Sequence, residues 1–258
     1  MPVRPSPVLL LGCAELAGKE DSLTRVVRRK IMSTIETRLQ AVRDRISRAA
    51  QAARRDSGEI KLVAVSKTFP AASVRAAAGC GQTAFGENYA QEGADKIHEL
   101  RDLALEWHFI GPIQSNKTRL IAAHFAWVHS VDRLKVAERL AEQRPPGLPP
   151  LQLCIQVNVS GEATKSGVEP ADLPALVQRV AALPHLELRG LMAIPAPTEN
   201  PEEQRSQLRR LRQLKDATVA RGFRLDTLSM GMSDDLEIAI AEGATIVRVG
   251  RAIFGERR

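Results

Sequence analysis

From Met32 onward the chain alternates short apolar runs of strand length with segments of helical periodicity, and eight such runs can be counted. They fall at 62–66, 83–86, 107–110, 127–130, 153–159, 188–194, 227–230 and 245–249, and seven of them are followed by helix-like sequence. Ahead of the first, Ile35, Leu39, Val42, Ile46, Ala49 and Ala53 recur at spacings of four, three, four, three and four, one face of an amphipathic helix. Residues 73–78 read as a helix with Gly79 in the C-cap position. Leu173, Leu176, Val177 and Val180 mark another, as do Leu208, Leu211 and Leu214; Asp234 with Glu237 marks a helix start before 238–241. Apolar runs without strict alternation suit strands buried on both faces, as in a parallel sheet. Eight βα units in about 225 residues fit a (β/α)8 barrel of near-minimal size. A doubly wound open sheet is the competing architecture, but it usually carries a glycine-rich turn after its first strand. Here that strand ends Val65-Ser66-Lys67-Thr68. The proline-rich 144–150 stretch reads as a loop between units four and five, not a domain boundary.

In a barrel, chemistry gathers at the C-terminal ends of the strands, with phosphate sites favouring the loops after strands seven and eight. Lys67 directly follows a fully apolar strand. Position alone leaves two readings: a lysine snorkelling from a strand end, or a desolvated amine poised to form a Schiff base. Ser229-Met230-Gly231-Met232-Ser233 and Val249-Gly250-Arg251 supply hydroxyls and backbone N–H donors for a phosphate cradle, or equally for ordinary turns with Ser233 as a helix cap. Arg248 lies inside the apolar run Ile246-Val247-Arg248-Val249 and must reach a partner or a cavity, because a buried unpaired charge is costly.

Other signals exclude more than they assign. The segment 161–166 imitates part of a phosphate-binding loop, but Thr164 stands where its glycine belongs, so no nucleotide site is expected there. His98, His108, His124, His129 and His185 lack metal-ligand spacing, and satisfied structural histidines are expected instead of a metal site. The net charge is +7, yet acids separate the basic residues, the longest basic block is Arg28-Arg29-Lys30, and aromatics number nine, so no nucleic-acid partner is expected. Cys13, Cys80 and Cys154 form no CxxC pair, which fits a reduced, cytoplasmic protein. No apolar stretch is long enough to span a membrane. Residues 1–31, with Pro2, Pro5 and Pro7, read as a disordered extension or as sequence upstream of a working start at Met32. Leu10-Leu11-Gly12-Cys13 only loosely imitates a lipoprotein cleavage box. The single domain is expected over 32–258.

Six segments, in order, carry a resemblance. Ala64-Val65-Ser66-Lys67-Thr68, Phe85-Gly86-Glu87-Asn88-Tyr89, the run from Trp107-His108-Phe109 to Ser115-Asn116-Lys117, Gly190-Leu191-Met192-Ala193-Ile194, Ser229-Met230-Gly231-Met232-Ser233-Asp234-Asp235 and Val247-Arg248-Val249-Gly250 together resemble the pyridoxal-phosphate homeostasis protein family. The resemblance implies a (β/α)8 barrel of the alanine racemase N-terminal type, without that enzyme's C-terminal β domain. It implies pyridoxal 5'-phosphate (PLP) held as a Schiff base on Lys67, with Arg248 facing the pyridine nitrogen. Ser229, Ser233, Gly250 and Arg251 match phosphate contacts, and Asn88 and Met192 match residues near the ring. Arg251 is a departure, since Thr or Ser is frequent there. The implied role is carriage of PLP in vitamin B6 homeostasis by a monomer, with PLP-dependent apo-enzymes as recipients and without a robust reaction. A weak amino-acid racemase is the alternative, although racemization needs acid and base groups on both cofactor faces and the chain's one tyrosine, Tyr89, follows strand two.

Overall fold

The computed structural model describes residues 22–162 and 165–256, with side chains from residue 34. Eight parallel strands close into a barrel in sequential order: β1 (Lys61–Val65), β2 (Ala84–Glu87), β3 (Glu106–Phe109), β4 (Trp127–Val131), β5 (Leu151–Gln156), β6 (Leu186–Met192), β7 (Thr227–Ser229) and β8 (Ile246–Val249). Closure comes from β1 pairing with β8, with Lys61 opposite Ile246 and Val63 opposite Arg248. Closing the sheet leaves no edge with unpaired backbone groups. Helices follow every strand: α2 (Ala71–Gly79), α3 (Ala90–Glu99), α4 (Thr118–His124), α5 (Leu134–Gln143), α6 (Leu173–Ala181), α7 (Pro201–Ala220), α8 (Leu236–Ala241) and the four-residue α9 (Arg251–Phe254).

The leading helix α1 (Ser22–Ala52) begins ten residues ahead of Met32 and packs against α2, α8 and α9. Its periodic residues Ile35, Leu39, Val42, Ile46 and Ala49 are all buried, as the spacing predicts. Deleting a fully buried side chain such as Leu39 costs about 2–5 kcal/mol, so this stripe is what fixes α1 to the barrel. The expected extension over 1–31 lies outside the described residues up to position 21, and Ala163 and Thr164 of the 161–166 segment also lie outside them.

Two expectations shift. Strands five and six start two residues earlier than the apolar runs indicate, at Leu151 and Leu186. Gly79 is the last helical residue of α2, and the left-handed backbone falls at Gly81 with φ 77°. The 144–150 stretch is a loop, as expected. Arg144 holds it by donating to the carbonyl oxygens of Ala122, Phe125 and Pro149.

The apolar interior divides in two. The larger cluster lies between strands and helices, while Val63, Ala84, Trp127, Cys154, Met192 and Ile246 form a separate cluster. Alternation along each strand places these six on the inner face, so the barrel is a filled core. Polar residues of β3, β4, β7 and β8 share that inner face, and they build the floor of the site.

Candidate functional site

A cavity of about 230 Å³ opens at the C-terminal ends of the strands. Val65, Ile110 and Ile194 give it apolar walls, and Lys67, Asn88, Met232, Ser233, Asp234, Arg248, Gly250 and Arg251 complete the lining. Six of the eight expected site residues therefore meet at one place: Lys67, Asn88, Ser233, Arg248, Gly250 and Arg251. Met192 and Ser229 do not line the cavity. Both are fully buried, Met192 in the inner cluster and Ser229 beneath Arg248.

Lys67 follows β1 in a turn clamped from α3. Lys96 Nζ donates to the Ser66 carbonyl oxygen at 2.7 Å, to Glu87 at 2.8 Å and to Glu92 at 2.7 Å. Glu92 in turn accepts from the Thr68 backbone N–H at 2.6 Å. Thr68 has φ 68°, unusual for a β-branched residue, so the turn is strained where the clamp holds it. Glu87 is fully buried, and burial raises its carboxyl above the usual range although Lys96 and Ser66 both donate to it. Nothing in the local sequence marks Lys96 beyond its being a basic residue one turn after Glu92.

Arg248 enters from β8 and is buried. Its guanidinium donates to Ser229 Oγ at 2.8 Å and to the Ala193 carbonyl oxygen at 3.0 Å. Burial lowers its pKa to about 10, so it stays protonated at neutral pH. Ser229 Oγ thus supports Arg248 from below. Behind it, His129 Nδ1 lies 2.7 Å from Ser229 Oγ, His129 Nε2 lies 2.9 Å from His108 Nδ1, and His108 Nε2 lies 2.8 Å from Glu106. The two histidines are buried and satisfied, as expected of structural histidines. Among the described residues no cluster of His, Cys, Asp or Glu is arranged to hold a metal, and no helix is long and apolar enough to cross a membrane.

The third wall suits an anion. Gly250 abuts Val65, where a Cβ would lie 3.1 Å from its carbonyl oxygen, and so brings the start of α9 against the cavity. The Ile253 and Phe254 N–H groups donate to the Gly250 carbonyl oxygen, and the Arg251 and Ala252 N–H groups ahead of them have no acceptor within the helix. Opposite, Arg45 of α1 donates to the Ser233 carbonyl oxygen at 3.0 Å and pairs with Glu237, fixing the turn that carries the Ser233 hydroxyl. The Arg251 side chain pairs with Asp234. Between these walls Asn88 Oδ1 is buried with no hydrogen-bond partner. An amine, a buried guanidinium, an anion cradle and an orphaned amide oxygen around an apolar slot fit a planar, phosphorylated aldehyde.

The chain matches the alanine racemase N-terminal domain family over residues 37–258. It is 62% identical over 226 residues to the pyridoxal phosphate homeostasis protein of Pseudomonas aeruginosa, covering 88% of this chain and 97% of that one. The protein of that name from Escherichia coli K12 is 52% identical over 229 residues, covering 88% and 98%. Among solved structures, PipY of Synechococcus elongatus PCC7942 with PLP bound superposes with a TM-score of 0.76 at 38% identity, over 86% of this chain and all of that one. Alanine racemase from Corynebacterium glutamicum shares the fold, with a TM-score of 0.67 at 18% identity over 87% of this chain and 62% of the racemase. On these matches and on the barrel itself, the chain belongs to the pyridoxal phosphate homeostasis protein family.

Proposed function

We propose that this chain binds pyridoxal 5'-phosphate in the cavity above Arg248, joined as an imine to Lys67, and that it carries the cofactor in the cytoplasm for PLP-dependent apo-enzymes. The observation that carries the reading is the convergence of Lys67, Arg248, Ser233 and the start of α9 on one 230 Å³ cavity. The cofactor named in the PipY comparison and in the relatives' names supplies the ligand.

Each residue has a task. The Lys67 amine is the covalent anchor, positioned by the Lys96–Glu92 clamp. Arg248 would donate to the pyridine nitrogen. A guanidinium does not surrender its proton at neutral pH, so it would keep that nitrogen unprotonated and make the ring a weak electron sink. The Ser233 hydroxyl and the Arg251 and Ala252 N–H groups at the start of α9 would hold the phosphate. Asn88 Oδ1 accepts from the ligand's polar edge, and Met192 shapes the floor from below. Bound PLP supplies an electrophilic carbonyl and electron withdrawal.

A carrier role is favoured over racemization because, among the described residues, no second proton-transfer group is matched to Lys67 across the cavity. Tyr89 is 57% exposed and does not line the cavity, and the lining carboxylate Asp234 is paired with Arg251. The decisive test is the visible absorbance of the purified protein with PLP, before and after borohydride, with mass mapping of the adduct. A band lost on reduction, with the label on Lys67 and none in Lys67→Ala, is expected. No band with excess PLP, or a label elsewhere, overturns the reading. Time-dependent change in the chirality of alanine or serine would favour the racemase instead.

A further inference from the structure

The contacts beneath Arg248 form a continuous line through the barrel. Lys61 Nζ and Glu106 Oε1 meet at 2.6 Å at the N-terminal ends of β1 and β3, and the line runs on through His108, His129 and Ser229 to Arg248. Its two ends have fixed chemistry. A guanidinium only donates, and an ionised carboxylate only accepts.

Fixed ends set every proton between them. Glu106 accepts from Lys61, so His108 must carry its proton on Nε2 to meet the same oxygen. With His108 neutral, Nδ1 is then an acceptor, and His129 must donate to it from Nε2. The His129 Nδ1 is left as an acceptor and receives a hydrogen bond from the Ser229 hydroxyl. Ser229 Oγ therefore offers its lone pairs to Arg248. The opposite order would set the His108 lone pair against the Glu106 carboxylate. Burial lowers the pKa of both histidines, and Glu106 is lowered to about 2 chiefly by its hydrogen bond from His108, which agrees with two neutral rings ending on a carboxylate.

The order matters to Arg248 because both of its hydrogen bonds go to neutral oxygens, Ser229 Oγ and the Ala193 carbonyl. A buried charge needs compensation. A hydroxyl that donates its hydrogen bond into a chain ending on a carboxylate is a stronger acceptor, because hydrogen bonds in series polarise one another.

We propose that Glu106, at the far end of the barrel from the Lys67 cavity, is a positioning residue for Arg248: by fixing the donor direction through His108, His129 and Ser229, it holds the guanidinium so that its remaining N–H groups face the cavity. The role assigned to those N–H groups rests on the PLP reading above; the proton order does not.

Long-range ¹H–¹⁵N NMR of the cofactor-free protein reads the order directly. Nε2–H tautomers are expected for both His108 and His129, and an Nδ1–H tautomer in either overturns the proposal even if every variant misfolds. Glu106→Ala should switch at least one tautomer and weaken PLP binding roughly tenfold. Glu106→Gln, whose amide oxygen still accepts from His108, should restore both to near the wild-type result. Lys61→Met keeps the carboxylate and should change neither. A tautomer pattern or an affinity in Glu106→Ala equal to wild type overturns the proposal, and so does an affinity loss in Lys61→Met equal to that of Glu106→Ala. Wild-type protein with the expected tautomers but no absorbance change on adding PLP overturns the cofactor reading, and with it the role given to Arg248.

Discussion

The Lys96 ammonium on α3 donates to the Ser66 carbonyl oxygen at 2.7 Å, one residue before Lys67. Through Glu92 the same helix also holds the Thr68 N–H, one residue after it. The peptide groups on both sides of Lys67 are thus both held from α3.

Removing the ammonium should loosen that turn and strand Glu87. Breaking a buried ion pair from one side costs about 3–5 kcal/mol. A chain of this size loses roughly 2–4 °C of Tm per kcal/mol. Lys96→Met is therefore expected to melt well below wild type and to form the Lys67 adduct more slowly at equal PLP. A variant with wild-type Tm and adduct rate would show that the clamp does not position Lys67.

Gly111 sits where the chain after β3 crosses the turn after β2. A Cβ there would lie 2.2 Å from the Asn88 backbone oxygen and 2.6 Å from its Cα. Backbone cannot swing aside as a side chain does, so Gly111→Ala must displace Asn88. The expected cost is about 1–3 kcal/mol of overpacking, together with weaker PLP binding because Asn88 lines the cavity. Urea unfolding and an absorbance titration of one sample check both. Unchanged affinity in a destabilised variant would remove Asn88 from the site.

The barrel was legible because a strand buried on both faces leaves an apolar run of four to seven residues, and eight such runs set a strand count. Lys67 and Arg248 were legible as charges at the end of, and inside, such runs. The supporting residues were harder. His108 and His129 stand in Trp107-His108-Phe109 and Trp127-Val128-His129, and strand alternation puts His108, Trp127 and His129 on one face, but nothing local says that β3 and β4 place them 2.9 Å apart. Lys96 lies 29 residues from Lys67 on an amphipathic helix, where a basic residue ordinarily faces solvent. The support that Ser229 gives Arg248 is hidden for a related reason. Its segment names a phosphate turn, but the last strand residue of that segment points into the barrel, and only the turn beyond it reaches the cavity.

Arg248 sets function against stability. Its hydrogen-bond partners are neutral oxygens, so removing the guanidinium leaves no carboxylate partner behind, and the desolvation it no longer pays offsets the two acceptors left unpaired. A hydrogen bond to a charged group is worth about 1.5–3 kcal/mol, or roughly 10- to 150-fold in affinity. Arg248→Met is expected to keep a Tm within about 5 °C of wild type in the cofactor-free protein while PLP binding weakens by that factor. An affinity within twofold of wild type would remove the guanidinium from the cofactor contact.

Acid should weaken the fold through the barrel interior. Burial holds His108 and His129 below the ordinary value of 6.5, so as pH falls through 6.5 the unfolded chain gains protons that the folded chain refuses. Stability is complete above 6.5 and declines below it, with a limiting slope of about 2.7 kcal/mol per pH unit for two such groups. Glu106 acts in the same direction lower down, because its folded pKa of about 2 is below the unfolded 4.5. Glu87 opposes them, since its raised pKa lets the folded state bind a proton first, above 4.5. The sum is a fall in unfolding free energy from pH 7 to 5.5, measured by urea titration at each pH. His129→Gln isolates the histidine part: it removes one titrating ring and should reduce the slope by about one proton's worth, roughly 1.4 kcal/mol per pH unit. A wild-type slope of zero over that interval, or a slope that His129→Gln leaves unchanged, would mean that the paired rings take up a proton without opening the barrel.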